Sequence, residues 1–178
     1  LLIRGFLLIL RRPRCTQSRS SAASDWYKRQ GAGVIKDALL FQILTMTRPG
    51  EVRGAKQSEF NFEKKTWGIS SERTKMRRDH MIPLSDQALE IVKRNWISID
   101  GVELIFPSLN SNRKWLSENA FNSAIRRMGY TEDEVTAHGV RSTASTILNT
   151  RGHESDVIEA ALAHQDKNVI RRTYNRAT

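Results

Sequence analysis

The feature that most constrains this chain is a run of thirteen residues, Val34 to Met46, in which Ile35, Ala38, Leu39, Ile43 and Met46 repeat at the three-and-four spacing of a helix, with no Gly or Pro inside. A stripe of that kind has to be buried, so the chain predicts a buried helix here. Thr47-Arg48-Pro49-Gly50-Glu51-Val52 then restarts the chain. Pro49 suits a first helical turn, with Thr47 or Arg48 near the cap. Arg48 is therefore expected at a tight joint between two helices. An Arg beside Glu51 also reads as an ordinary surface ion pair, and the joint alone does not decide between the two.

The next stretch changes period. Phe60, Phe62, Trp67 and Ile69, then Met81, Ile82 and Leu84, stand between charged runs and predict short strands of one small antiparallel sheet. Ser70 to Asp79 becomes the turn or edge between two of them, which places Lys75 on an exposed, movable tip with Arg73, Arg77 and Arg78. Such a basic tip is either a solvated edge that blocks aggregation or a probe for a DNA groove.

Helix signals return after the hairpin. Ser85 with Asp86 reads as an N-cap, backed by Ala88, Leu89, Val92 and Trp96. Glu103 to Phe106 reads as a short strand ended by Pro107. Ser117 repeats the cap, with Leu116 and Phe121 as a staple, Ala124, Ile125 and Met128 as the stripe and Gly129 as the stop. A further helix is expected from near His138 to about Thr150, burying Val140, Ala144, Ile147 and Leu148 and stopping at Gly152. A shorter one follows from about Ser155 to Ala163, and a last one carries Tyr174. The fold class expected is mainly α with a small antiparallel β-sheet.

Charge points to a polyanion. The net charge is +10, although Arg4, Arg11, Arg12, Arg14 and Arg19 supply half of it within residues 1–24, which hold no acid. That segment reads as a basic linker outside a domain spanning 25–178. Its apolar start, Leu1 to Leu10, is too short to span a bilayer. The single cysteine, Cys15, excludes an internal disulfide and a thiolate metal cage, and a reducing cytoplasm is the simplest compartment. His80, His138, His153 and His164 form no i,i+4 pair, so neither a metal nor another cofactor is expected.

The chemistry concentrates near the C-terminus. His138 and Arg141 lie three apart on one helix face, His164 follows and Tyr174 comes ten residues later. Guanidinium groups fork onto phosphate oxygens, imidazoles donate hydrogen bonds or move protons, and a phenol is a competent nucleophile once its proton is managed. His-x-x-Arg alone is common. The ordered set Arg48, Lys75, His138, Arg141, His164, Tyr174 is far more specific.

Laid out in that order, residues 34–176 resemble the catalytic domain of the tyrosine recombinases, the phage-integrase family. Arg48-Pro-Gly-Glu51 is similar to its first arginine box and Lys75 to its hairpin lysine. His138-Gly-Val-Arg141, Leu162-Ala-His164 and Tyr174-Asn-Arg resemble the boxes that follow, most of all in integrases of integrative elements and genomic islands. The resemblance implies attack of Tyr174 on a DNA phosphodiester, giving a 3′-phosphotyrosyl link and a free 5′-hydroxyl. Arg48 and Arg141 then clamp the non-bridging oxygens, His164 adds a hydrogen bond, His138 helps to accept the phenol proton, and Lys75 protonates the leaving oxygen. Glu51 orients its neighbours, and Arg48, His138, Arg141 and His164 are expected on one basic face.

The implied partners are double-stranded DNA at attachment sites, a homo-tetramer on that DNA, and accessory DNA-bending or directionality proteins. No membrane is expected as a partner, and the expected setting is the cytoplasm, at the nucleoid, for a prokaryotic or phage-encoded protein. The family also carries an amino-terminal DNA-binding part and a C-terminal tail that these residues do not match. A non-catalytic DNA-binding relative and a type IB topoisomerase are the alternatives.

Overall fold

The computed structural model describes residues 22–97, 102–108 and 110–163. The long stripe forms part of a helix, α1 (Ala22–Thr45), which starts a little ahead of the domain boundary expected at Asp25. Ile35, Ala38, Leu39 and Phe41 are buried on it, and it packs against α2 (Pro49–Arg53), α3 (Asp86–Arg94), α4 (Ala120–Arg127) and α5 (Gly139–Thr150). A last described helix, α6 (Ser155–Ala161), packs on α5.

A 3₁₀ turn (Gln57–Glu59) leads into a three-stranded antiparallel sheet, β1 (Phe60–Asn61), β2 (Thr66–Ile69) and β3 (His80–Pro83), in the order β1-β2-β3. Its register pairs Trp67 with Ile82 and Ile69 with His80. The sheet is joined to α1 through aromatic rings. Phe41 lies 5.2 Å from Trp67, 5.6 Å from Phe106 and 6.1 Å from Phe60, and Phe60 stacks on Trp67 at 5.4 Å. Trp67 is wholly buried, so its indole N–H needs an acceptor, which the Glu59 carboxylate provides at 2.9 Å. Trp67→Ala would remove about 3–5 kcal/mol of packing.

Local signals behave as their chemistry requires. The Ser85 hydroxyl accepts from the Ala88 N–H at 3.2 Å and caps α3. Gly129 and Gly152 stand at φ +96° and +76°, the left-handed conformation that ends a helix.

Three expectations are corrected. Glu103 to Phe106 forms no strand: Leu104 makes one isolated bridge to Lys56, and the strand begins at Pro107. That strand, β4 (Pro107–Ser108), pairs with β5 (Ser111–Trp115) as a second, two-stranded hairpin. Ser117 does not cap α4; its carbonyl accepts from Ala120 in a preceding turn, and the helix starts later, while Leu116 and Phe121 are buried as a staple requires. Among the described residues no helix is long and apolar enough to cross a membrane.

Candidate phosphate-binding active site

The joint after α1 is built by a backbone reversal at Met46, which sits at φ +52°. Left-handed backbone is costly for a residue with a Cβ, on the order of 1–2 kcal/mol, and it is held here by hydrogen bonds. The hydroxyls of Thr45 and Thr47 lie 2.8 Å apart, and Thr45 also donates to the Phe41 carbonyl at 2.8 Å. Arg48 is then the N-cap of α2 with Pro49 at the first helical position. A guanidinium cannot accept a hydrogen bond, so only the Glu51 half of a capping box forms. One Glu51 oxygen accepts from the Arg48 N–H at 2.8 Å and the other from the Arg48 guanidinium at 2.9 Å. Glu51 is 3 % exposed and Arg48 17 %. The pair is therefore no surface ornament: the carboxylate aims the guanidinium.

Arg141 comes to the same place from α5. Its side chain is 5 % exposed, and a charge so buried must be bonded on every side available. One end of its fork donates to the Met46 carbonyl at 2.5 Å and the other to the Leu162 carbonyl at 2.6 Å. It thus bridges two joints, the one before Arg48 and the one before His164. Ala163, the residue between Leu162 and His164, is also left-handed, at φ +49°. Burial, and next the Arg48 charge, push the Arg141 guanidinium below its ordinary value, and Glu51 opposes them. A guanidinium still stays charged, so two cations and one carboxylate lie close together at this joint.

The start of α5 is fixed separately. Gln42 on α1 donates to the Ala137 carbonyl at 2.6 Å, and Asn122 on α4 accepts from the Ala137 N–H at 2.9 Å. The Thr136 hydroxyl accepts from Gly139 N–H at 2.9 Å. His138 follows these anchors, exposed, one turn ahead of the buried Arg141.

The hairpin loop between β2 and β3 divides in two. Its base is tied, with Asp79 accepting from the Ser71 N–H at 2.7 Å and the buried Thr74 hydroxyl bonding Arg78 at both its carbonyl (2.7 Å) and its N–H (3.0 Å). Lys75, Met76, Arg77 and Arg78 are exposed beyond that base. Arg73 is not among them, which corrects its expected place on the tip. Its guanidinium donates to the Gly54 carbonyl, to the Glu51 carbonyl at 2.8 Å, and pairs with Glu59 at 2.9 Å, under the Trp115 ring at 5.8 Å. It is 14 % exposed and turned into the protein. A side chain on Gly54 would meet the Trp115 ring at 2.7 Å, so only glycine lets β5 close over this arginine.

A cavity of about 140 Å³ opens where these parts meet, lined by Arg48, Thr74, Met76, Arg78, Asp79, His80 and Ala163. Lys75 stands between two of its lining residues. His80 was expected to be no more than one of four unpaired histidines. It could have been found from the strand period: β3 alternates, with Met81 and Pro83 outward and Ile82 buried, which puts His80 on the inward face directly after the basic loop. His164 and Tyr174, like the last helix expected to carry Tyr174 and most of the 1–24 linker, lie outside the described residues. Among the described residues no group of His, Cys, Asp and Glu is placed to hold a metal ion.

Comparison with known proteins bears on the family and the fold. Residues 21–178 match the model of the phage integrase family. The chain is 45% identical over 138 residues to prophage integrase IntA of Escherichia coli (strain K12), covering 78% of this chain and 33% of that protein. It is 35% identical over 159 residues to the integrase of Enterobacteria phage P4, covering 82% of this chain and 36% of that one. It spans about a third of the length of these curated relatives. Its fold is that of a lambda integrase solved as a tetramer bound to a Holliday junction, with a TM-score of 0.57 at 20% identity over 89% of this chain and 50% of that one. On this match and these identities, the chain belongs to the phage integrase family.

Proposed function

We propose that this chain carries the catalytic domain of a site-specific DNA recombinase, an integrase that cuts and rejoins DNA through a 3′-phosphotyrosyl intermediate to integrate or excise a mobile element. The observation that carries the reading is the cluster of half-buried Arg48 with buried Glu51 and Arg141 beside a basic cavity. Two guanidinium groups held in place before any substrate arrives suit the charge that develops on a phosphodiester under attack, and each such donor is typically worth about 10²–10³ in rate.

The chemistry follows from these roles. The Tyr174 oxygen attacks phosphorus, and the bond from phosphorus to the 5′-oxygen breaks. His138 helps to accept the phenol proton, and Lys75 delivers a proton to the departing oxygen. Arg48 and Arg141 stabilise the non-bridging oxygens, His164 adds a hydrogen bond, and Glu51 orients Arg48. The phosphotyrosyl bond keeps the energy of the broken one, so a 5′-hydroxyl of another strand can reverse the step without a nucleotide cofactor. Arg77 and Arg78 contact the backbone of double-stranded attachment-site DNA from the exposed loop. The working assembly is a homo-tetramer on DNA, assisted by DNA-bending or directionality proteins, at the nucleoid of a prokaryotic cytoplasm.

The test is a nicked suicide substrate, on which a strand too short to stay paired diffuses away after cleavage. A denaturation-resistant protein–DNA adduct is expected. DNA binding without an adduct would make the protein a non-catalytic binder.

A further inference from the structure

We propose that Arg73 is a positioning residue for Lys75: its guanidinium staples the loop that carries Lys75 to the C-terminal end of α2, the short helix that begins at Arg48, and so fixes where that loop stands relative to Arg48. For its chemistry the inference rests on the recombinase reading of Lys75 and Arg48; the staple stands on geometry alone.

At five residues α2 is too short to persist without outside contacts. A helix also leaves its last carbonyls without donors of its own. The Gly54 N–H turns back to the Gly50 carbonyl at 3.3 Å and the Ala55 N–H to that of Val52 at 3.1 Å, so neither takes the Glu51 carbonyl. Arg73 supplies that donor at 2.8 Å and gives another to the Gly54 carbonyl, which makes it a cap delivered from a distant loop. Glu51 thus joins two tasks. Its carbonyl is held by Arg73, while its carboxylate accepts from the Arg48 N–H and guanidinium.

The staple is anchored behind as well. One Glu59 oxygen pairs with Arg73 at 2.9 Å, and the other accepts from the Trp67 indole at 2.9 Å and the Lys56 N–H at 3.1 Å. Trp67 is wholly buried, so the carboxylate that grips Arg73 is tied to the core. On the loop side, the buried Thr74 follows Arg73 directly, and its hydroxyl bonds both the carbonyl and the N–H of Arg78. Lys75 therefore leaves from backbone secured on both sides, although its own side chain is exposed. A proton donor has to come within hydrogen-bond reach of the departing oxygen, so the placing of its root matters to the rate.

Amide exchange tests the staple without any reaction. In Arg73→Ala the Gly54 and Ala55 amides at the end of α2 and the Arg77 and Arg78 amides of the loop should all speed up, about tenfold more than the Leu89 amide of α3, which reports general loss of stability. Should the alanine variant fail to fold, Arg73→Lys takes its place and should give the same pattern on a smaller scale, because an ammonium keeps the charge beside Glu59 but cannot fork onto both carbonyls. Acceleration confined to one of the two segments, or no greater than at Leu89, would overturn the staple. On the nicked substrate at saturating DNA, Arg73→Ala should slow adduct formation about tenfold, and sulfur at the 5′-bridging position should bring the defect within about threefold. In a Lys75→Ala background the same change should cost less than about threefold, since the group it positions is gone. Equal slowing on both substrates, or a full tenfold loss without Lys75, would overturn the positioning role. The expected exchange pattern with no adduct from wild type would instead sink the recombinase reading and leave the staple standing.

Discussion

Two cationic regions of this molecule meet at one cavity and are built in opposite ways. At the joint of α1, α2 and α5 the charges are half-buried or buried and spoken for: Arg48 by Glu51, Arg141 by the carbonyls of Met46 and Leu162. On the loop between β2 and β3 the charges of Lys75, Arg77 and Arg78 are exposed beyond a tied base. A buried, prearranged cation stabilises charge without reorganising when a reaction reaches its transition state, at the expense of desolvation. An exposed one retains its hydration and gives salt-dependent attraction instead. The joint suits the reacting phosphate and the loop suits approach and proton delivery.

The widest separation between the regions should come from Arg141. Arg141→Ala leaves two carbonyls without their donor and removes a charge from the pocket, so adduct formation on a nicked substrate should fall by about 10²–10³ or more, and denaturant unfolding should show a loss of about 2–4 kcal/mol. Arg141→Lys should not restore either, because an ammonium cannot span both joints as a planar fork does. A lysine variant with wild-type stability and rate would place the joint in the same class as the loop.

Lys75→Ala should come next. Cleavage of an ordinary phosphodiester should slow by about 10²-fold or more and be largely rescued when the 5′-bridging oxygen is replaced by sulfur, since a thiolate leaves without an acid. Stability should be unaffected, as expected of an exposed side chain. Equal defects on both substrates would assign Lys75 to binding.

Arg73 and Arg77 sharpen the contrast within a single loop. Arg73→Ala should destabilise the fold by about 2 kcal/mol, because it takes a donor from Glu59 and from two backbone carbonyls. Arg77→Ala should leave stability within about 0.5 kcal/mol and reduce the salt dependence of DNA binding by about one phosphate contact. If the two variants behaved alike in thermal melts and in salt titrations, the division of the loop into a tied base and a free tip would be wrong.

The smallest effect is acid sensitivity. His80 has a folded-state value below its ordinary 6.5, so the unfolded chain takes up this proton first as pH falls. Its contribution is intact above about pH 6.5 and is lost as pH drops from there through the lowered folded value. Melts of wild type and His80→Gln across that window should converge above it and favour the glutamine variant below. A constant offset would show that the ring does not titrate differently on folding.

What could be read from the sequence divides along the same line. Arg48 at a joint, Ser85 as a cap, Gly129 and Gly152 as stops and the buried stripe from Ile35 onward follow from rules that act within one or two turns of chain. Arg73 was misplaced because what turns it inward is remote: Glu59, Gly54 and the ring of Trp115 on a hairpin that itself went unread. Glu103 to Phe106 reads as a strand because Leu104, Ile105 and Phe106 are apolar in a row, yet its only bridge among the described residues is from Leu104 to Lys56, and nothing local distinguishes a single bridge from a ladder. His80 is legible only in part: alternation in β3 turns it inward, but that it shares a cavity with Arg48 and Ala163 depends on how α2 and α6 dock.

The most direct test of the central claim uses Tyr174. Tyr174→Phe removes one oxygen and leaves every cation in place, so attachment-site DNA should bind within about threefold of wild type, less than ~1 kcal/mol. On the nicked suicide substrate the wild-type protein should form a denaturation-resistant adduct and the phenylalanine variant none. An adduct that persists in Tyr174→Phe, or a wild type that binds the DNA and never forms one, would contradict the account.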